Sequence, residues 1–325
     1  MEREPPLISI VSPVFQASQI VSELVRRLSV GVQNITDRYE IVLVDDGSSD
    51  GVWDEIVRIG AQDQHVKGIK LSRNFGQHRA ITAGLEYARG DYVVVIDCDL
   101  QDDPNDIKKL YDKALEGFDI VYTRRATRKF SVSKNIFATL FSCIFNWLTG
   151  DSAIKTSLNV GTFSLISRRV VEPYLQVDDK HRHYLFILRW LGFNSAYVDV
   201  QHHPRLQGKS SYTVAKLLRH AIDGIVSQSD RLLHLSVLLG FTFCIGAFIG
   251  IILLVLLFLL HGFKEGWTSV MVVVLFSTGL ILLSLGIIGI YIGKIFDEVR
   301  TRPLFIVDKV INIENIHSPY NGMRK

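Results

Sequence analysis

The sequence predicts an α/β domain with a mostly parallel sheet, followed by a two-helix transmembrane hairpin. Three observations carry this. From Leu7 to Tyr122, short β-branched runs alternate with amphipathic stretches, the pattern of strand–helix–strand units around a parallel sheet. Two of those runs, Ile41–Val44 and Val93–Ile96, end directly in acidic loops. Further on, Leu235–Leu260 and Gly266–Gly293 contain no Asp, Glu, Lys or Arg, and each exceeds the roughly 20 helical residues that cross a hydrocarbon core of about 30 Å.

The elements follow in order. Leu7–Val11 reads as a first strand ending at Ser12-Pro13. Ser18 is placed to cap a helix whose apolar face is Ile20, Val21, Leu24, Val25 and Leu28. The Ile41–Val44 strand, the Asp45–Asp50 loop and a helix from about Val52 to Ala61 come next. Val66–Leu71 is a third strand, Gly76–Ala88 a helix and Tyr92–Ile96 a fourth strand. Pro104 fits the first turn of a helix reaching about Glu116, and Asp119–Tyr122 is a fifth strand. Beyond it Arg124, Arg125, Arg128, Lys129 and Lys134 crowd one loop ahead of the aromatic-rich Asn135–Leu148. A basic loop before such a segment suits a membrane surface, as does Tyr212–Leu233, which leads into the first apolar run.

The chain has 325 residues, enough for one large domain and an accessory part. It is 48% hydrophobic, and the excess lies in the two uncharged runs. His261–Glu265 is too short a connection for a domain. Lys216, Arg219 and Arg231 precede the pair, and Lys294, Arg300 and Arg302 follow it, so the positive-inside rule puts both flanks and both termini in the cytosol. A net charge of +3 gives no support for a nucleic-acid partner. Cys98, Cys143 and Cys244 show neither metal spacing nor a disulfide framework, which points to a reduced compartment. Met1–Pro6 lacks the features of a signal peptide.

The richest segment is Val93-Val94-Val95-Ile96-Asp97-Cys98-Asp99-Leu100-Gln101-Asp102-Asp103-Pro104. A buried strand that runs into carboxylates at i and i+2 can turn both toward one hard divalent cation, Mg²⁺ or Mn²⁺, which commonly shares its coordination with phosphates. With Asp45-Asp46-Gly47-Ser48-Ser49-Asp50 closing a second strand, the two acidic ends point to a nucleotide-diphosphate site at the carboxyl edge of the sheet. The histidines His181, His183, His202 and His203 do not read as a metal site, because no carboxylate stands at ligand spacing.

On these residues, together with Ile10-Val11-Ser12-Pro13-Val14-Phe15, Ser72-Arg73-Asn74-Phe75-Gly76 and Arg205-Leu206-Gln207-Gly208-Lys209-Ser210-Ser211-Tyr212, the chain resembles the family-2 glycosyltransferases of GT-A fold. Within them it is similar to the polyprenyl-phosphate glycosyltransferases, and the likeness covers essentially the whole chain. The resemblance implies that Pro13, Phe15 and Asp45 or Asp46 hold the base and ribose of a nucleotide sugar, with Arg73, Asn74 and Ser210 bordering the donor. It implies that Asp97 faces the ribose or sugar and that Asp97, Asp99 and Gln101 serve the cation. Arg205 and Lys209 would steady the leaving diphosphate, beside the catalytic acids Asp97 and Asp99. Arg125 and Arg128 match the positions that take the acceptor phosphate, a task suited to a planar, always charged fork.

The implied reaction is an inverting transfer from a nucleotide diphosphate sugar, UDP-linked by preference, to polyprenyl phosphate at the cytosolic face of an inner or plasma membrane. The lipid bilayer is a partner, and the resemblance admits a homo-oligomer. The expected boundaries are a catalytic domain over 1–210, an interfacial helix over 211–233, a hairpin over 234–294 with spans 235–260 and 267–293, and a cytosolic tail over 295–325. Two features set limits. Relatives with acids and an arginine in the strand at Asn159-Val160-Gly161-Thr162-Phe163-Ser164 have no counterpart here, so no carboxylate base is expected from it. A polysaccharide-extruding synthase would carry Gln-x-x-Arg-Trp, whereas Phe186 stands in place of the glutamine before Arg189-Trp190.

Overall fold

In the computed structural model the described residues are 7–125, 160–180, 182–201, 231–261, 266–300 and 302–313. They fall into two units: one holds the stretches up to 201 together with 302–313, and the other holds 231–300.

The first unit is built on β1 (Ile8–Val14), α1 (Val21–Gln33), β2 (Tyr39–Asp45), α2 (Val52–Gln62), β3 (Val66–Leu71), α3 (Gln77–Tyr87), β4 (Tyr92–Val95), α4 (Ile107–Ala114), β5 (Ile120–Arg125), β6 (Val160–Ser167), α5 (Arg168–Gln176), α6 (Tyr184–Trp190) and β7 (Ser195–Val200). In the second unit lie α7 (Arg231–His261) and α8 (Trp267–Val299), and β8 (Val307–Ile311) returns to the first. One sheet takes all eight strands in the order β7-β5-β6-β4-β1-β2-β3-β8. Strands β3, β2, β1 and β4 run parallel, as the alternation predicts. Strand β6 enters antiparallel between β4 and β5, and β7 runs parallel to β5.

Both β1 and β2 are buried along their whole length, which accounts for their near-continuous apolar sequence. Their side chains alternate between two cores. Ile8, Ile10 and Val14 face the core shared with α1, α2 and α4; Val11 faces the one shared with α3, α5 and α6. The order in which strands are added switches side at β1, since β2 lies on one side of it and β4 on the other, all parallel. In open α/β sheets such a switch point is where ligands bind, which makes the carboxyl ends of β1, β2 and β4 the candidate crevice.

Four local expectations change. Ser18 does not cap α1: Ile20 stands at the cap without a side-chain bond, and the Ser18 amide instead donates to Asp50. Pro104 opens a single 3₁₀ turn, Pro104–Asp106, with α4 beginning only at Ile107, because Asp103 caps that tighter turn by accepting from the Asn105 amide. The fifth strand runs on to Arg125. The stretch set apart as a tail contains β8, which pairs antiparallel with β3.

In the second unit, α7 and α8 have 31 and 33 residues. At about 1.5 Å per residue each exceeds a hydrocarbon core of about 30 Å. Their most apolar windows, Leu233–Gly250 and Phe276–Gly293, reach a mean hydropathy of 2.0 and are almost wholly unburied within the chain. They are long and apolar enough to form a transmembrane hairpin. Phe243 meets Phe276 at 5.2 Å between ring centroids. The expected interfacial segments Asn135–Leu148 and 211–230 lie outside the described residues.

Candidate active site

The crevice is lined first by the loop after β2. Asp45 is fully buried at the strand end. Its Oδ1 accepts from the Ser48 amide at 2.9 Å, while its buried Oδ2 has no hydrogen-bond partner among the described residues. Its neighbour Asp46 is equally buried but engaged on both oxygens, accepting from the Phe75 amide at 2.7 Å and the Gly76 amide at 2.9 Å. Burial raises the Asp46 pKa, and those two amides pull it back down. The sequence left Asp45 and Asp46 as alternatives for the nucleotide. Their geometry separates them, because Asp46 holds a loop and Asp45 has an oxygen left over.

That loop, Ser72–Gly76, follows β3 and carries Arg73 and Asn74, both exposed. The Arg73 guanidinium lies 4.4 Å from the centroid of the Phe75 ring, a cation–π contact. Gly47 lets the two loops approach. It has φ +69°, and a Cβ there would stand 2.4 Å from the Arg73 carbonyl carbon and 2.5 Å from the Asn74 nitrogen. From β1 the site receives Phe15, which is 45% exposed. Pro13 sits buried within β1 opposite Val44, so it contributes fixed backbone rather than an open side-chain face.

The acid pair leaves the end of β4, with Asp97 and Asp99 both partly exposed. Asp97 Oδ1 accepts from Gln77 Nε2 at 2.6 Å, and Asp99 Oδ1 accepts from the Gln101 amide at 3.1 Å. Leu100 between them and Gln101 adopts φ +57°, an uncommon conformation for a non-glycine residue. At Cys98 burial pushes the thiol up to about 11, and the charges of Asp97 and Asp99 push the same way. Asp97, Asp99 and the side-chain amide of Gln101 offer hard oxygen donors of the kind that suit a divalent cation shared with phosphates. Among the described residues no three His, Cys, Asp or Glu side chains gather around one point.

Gln77, which sequence reasoning missed, comes from the amino end of α3. The signal was its place directly after Ser72–Gly76. The next residues tie the site to α6. The Tyr184 amide donates to His78 Nδ1 at 3.4 Å, and the His78 ring lies 4.2 Å from that of His183, which stacks on Phe186. Arg79 donates to the Phe75 and Lys180 carbonyls. Burial lowers His78 to about 4; burial, with His78 and Arg189 nearby, lowers His183 to about 3. Both rings are therefore neutral at pH 7.

On the basic side, the Arg124 guanidinium pairs with exposed Asp199 of β7 at 2.6 and 3.0 Å. Arg125 ends β5, with its backbone registered to Val200. Arg128, Arg205, Lys209 and Ser210 lie outside the described residues.

The sequence profile of Glycosyl transferase family 2 matches residues 9–175. The chain belongs to that family. Its mixed sheet, with the acid pair at the end of β4, is of the GT-A type. It is 36% identical over 309 residues to the glycosyltransferase YkcC of Bacillus subtilis, covering 94% of this chain and 95% of that one. It is 31% identical over 315 residues to the undecaprenyl-phosphate 4-deoxy-4-formamido-L-arabinose transferase of Salmonella choleraesuis, covering 95% and 94%. Among solved structures, mannosyl-3-phosphoglycerate synthase from Rubrobacter xylanophilus is similar with a TM-score of 0.49 at 17% identity, covering 70% of this chain and 74% of that chain. Glucosyl-3-phosphoglycerate synthase from Mycobacterium tuberculosis, in a complex with Mn²⁺ and UDP, has a TM-score of 0.46 at 17% identity, covering 69% and 80%.

Proposed function

We propose that this family-2 glycosyltransferase moves a sugar, with inversion, from a nucleotide diphosphate sugar to polyprenyl phosphate. The observation that carries the reading is the likeness to undecaprenyl-phosphate transferases over nearly the full length of both chains, a span that includes the two apolar helices. Chain connectivity supports the membrane arrangement. Strand β7 precedes those helices and β8 follows them, and both belong to one sheet. Two crossings satisfy that condition and a single crossing does not. The flanking Lys and Arg residues put the shared side in the cytosol.

The donor nucleotide occupies the crevice at β1, β2 and β4. Asp45 Oδ2 receives a base or ribose donor, Arg73 and Asn74 border the pocket, and Phe15 offers an aromatic face. Asp97, Asp99 and Gln101 would hold Mg²⁺ or Mn²⁺ at the diphosphate. When bound, such an ion supplies positive charge against the leaving group. Arg205, Lys209 and Ser210, which precede the first apolar helix in sequence, would serve the leaving diphosphate. Arg125 and Arg128 orient the acceptor phosphate.

An acceptor phosphate oxygen attacks the anomeric carbon, forming a C–O bond there. The bond from that carbon to the donor's phosphate oxygen breaks, and the pair of electrons leaves with the nucleoside diphosphate. The attacking group is already anionic, so no strong base is needed, in keeping with the absence of a carboxylate at Thr162 and Ser164 of β6. Catalysis is then orientation and charge stabilisation.

The test is transfer of radiolabel in detergent with Mg²⁺ or Mn²⁺, polyprenyl phosphate and a panel of UDP- and GDP-sugars. Label in an organic-extractable, mild-acid-labile lipid with one donor is the expected result and names the sugar. Label only in polymer would replace the reading with that of a synthase.

A further inference from the structure

The return strand after the second apolar helix does more than close the sheet edge. Backbone pairing joins Gly68 to Ile311, Ile69 to Val310 and Lys70 to Lys309, then shifts so that Leu71 faces Val307. The shift leaves Asp308 as an extra residue in β8, a bulge immediately below the Ser72–Gly76 loop. Bulges of this kind re-aim the chain that follows. Above the bulge, the Ser72 amide donates to the Ile306 carbonyl at 2.9 Å. That bond fixes the first residue of the loop that carries Arg73 and Asn74, while Asp46 fixes its last two.

The far end of β8 is locked as well. Asn312, at φ +56°, donates through Nδ2 to the Gly60 and Val66 carbonyls at 2.7 and 2.9 Å. Ile311 fills the space over Gly68, where a Cβ would come within 2.6 Å of it. These contacts define a single register, and a slip of one residue would turn each side chain of β8 to the other face. Leu304, just before the strand, is buried, and Phe305 packs against the α3 core.

We propose that residues 304–312 are a positioning element of the donor pocket, with Asn312 setting the register and the Asp308 bulge delivering the Ile306 carbonyl to Ser72. The donor loop is then held from two sides, by Asp46 within the catalytic half and by a segment that reaches it only after the apolar hairpin. This rests on the reading of the Asp45–Arg73 crevice as the nucleotide site.

The test uses the full-length protein in detergent. UDP and GDP binding in the presence of Mn²⁺ is measured by calorimetry, alongside amide hydrogen exchange at Ser72, Phe75 and Gly76. In Leu304→Ala the nucleotide Kd is expected to rise about tenfold, equivalent to about 1.4 kcal/mol, with faster exchange at Ser72 and an unchanged acceptor KM. Asn312→Gly is the gentler variant. It keeps the left-handed backbone without strain and loses only the two side-chain bonds; the same effect is expected at smaller size. Val170→Ala removes part of a buried side chain on α5 and is expected to lower the unfolding temperature while leaving Kd within about twofold, the behaviour of a purely structural change. Unchanged nucleotide affinity in both β8 variants, with Ser72 exchange accelerated, overturns the proposal. A wild-type protein that binds neither nucleotide overturns the site reading beneath it, a result distinct from normal binding in the variants.

Discussion

Two buried acids lie at opposite ends of β2 and are treated in opposite ways. Glu40, where the strand enters, is fully engaged. It accepts from the Ser9 hydroxyl at 2.5 Å, from the Arg89 amide at 2.6 Å and from Lys67 Nζ, and Ser9 Oγ in turn accepts from the Gly90 amide. This network ties β1, β2 and β3 to the turn before β4. Asp45, where the strand leaves, has one buried oxygen without a partner among the described residues. An unmet buried acceptor costs roughly 1–3 kcal/mol, and a fold has reason to retain it where a ligand supplies the missing donor. The entering edge of the sheet thus satisfies its buried acid from within, whereas the leaving edge keeps a buried acceptor open for the ligand proposed above.

The largest effect should come from the leaving edge. Asp99→Ala is expected to lower kcat by at least about a thousandfold, since cation-assisted charge stabilisation is worth several kcal/mol, while the unfolding temperature stays near wild type. Normal turnover would remove Asp99 from the cation site. Next, Glu40→Ala is expected to cost about 2–4 kcal/mol of stability by stranding Lys67 and two other donors, the Ser9 hydroxyl and the Arg89 amide, with activity per folded molecule preserved. Chemical denaturation paired with an active-site titration separates the two quantities. A loss of activity at full stability would break the division between the edges. Smaller still, Asp45→Asn keeps an acceptor for the Ser48 amide but turns the orphan position into an N–H. Nucleotide affinity should fall about ten- to a hundredfold, with stability unchanged or raised as the buried charge is relieved. Unaltered UDP and GDP affinity would exclude Asp45 from the nucleotide site.

The same division explains what could be read from the sequence. The positions of Asp45 and Asp97 at strand ends, with Asp99 two residues further on, were legible because buried β-branched runs lead directly into them. The distinct jobs of Asp45 and Asp46 were not legible. They depend on which oxygens meet the Phe75 and Gly76 amides, a long-range contact that no local pattern encodes. Gln77 was missed because a polar residue in the first turn of a helix is unremarkable until Asp97 is seen 2.6 Å away. Strand β8 was legible only in part: Leu304-Phe305-Ile306-Val307 reads as strand-like in the sequence, but the strand itself is Val307–Ile311. Val307–Ile311 is short, carries Asp308 and Lys309, and lies beyond the hairpin, whereas period-based reading pairs neighbours in sequence. Strands β1 to β4 were accessible because each lies fully within one alternating βα unit.

A last test concerns the histidine pair at the leaving edge, where burial again goes unrewarded. His183 Nδ1 is buried without a partner among the described residues, and its surroundings include His78, Arg189 and the Phe186 ring. Both folded-state values, about 4 for His78 and about 3 for His183, lie below the ordinary value of about 6.5. The unfolded chain therefore binds protons that the fold refuses. The contribution of the neutral rings is fully present above about pH 6.5 and is lost as pH falls toward about 4 and then about 3, with a slope of at most ~1.4 kcal/mol per pH unit for each ring. His183→Phe keeps the stack on Phe186 and removes one titrating group, so its denaturation midpoint should change little at pH 7 and fall less steeply than wild type between pH 6 and pH 4. Parallel acid profiles for the two proteins would show that His183 is hydrated or paired in solution, and the leaving edge would then hold its unmet polar atoms only where substrate arrives.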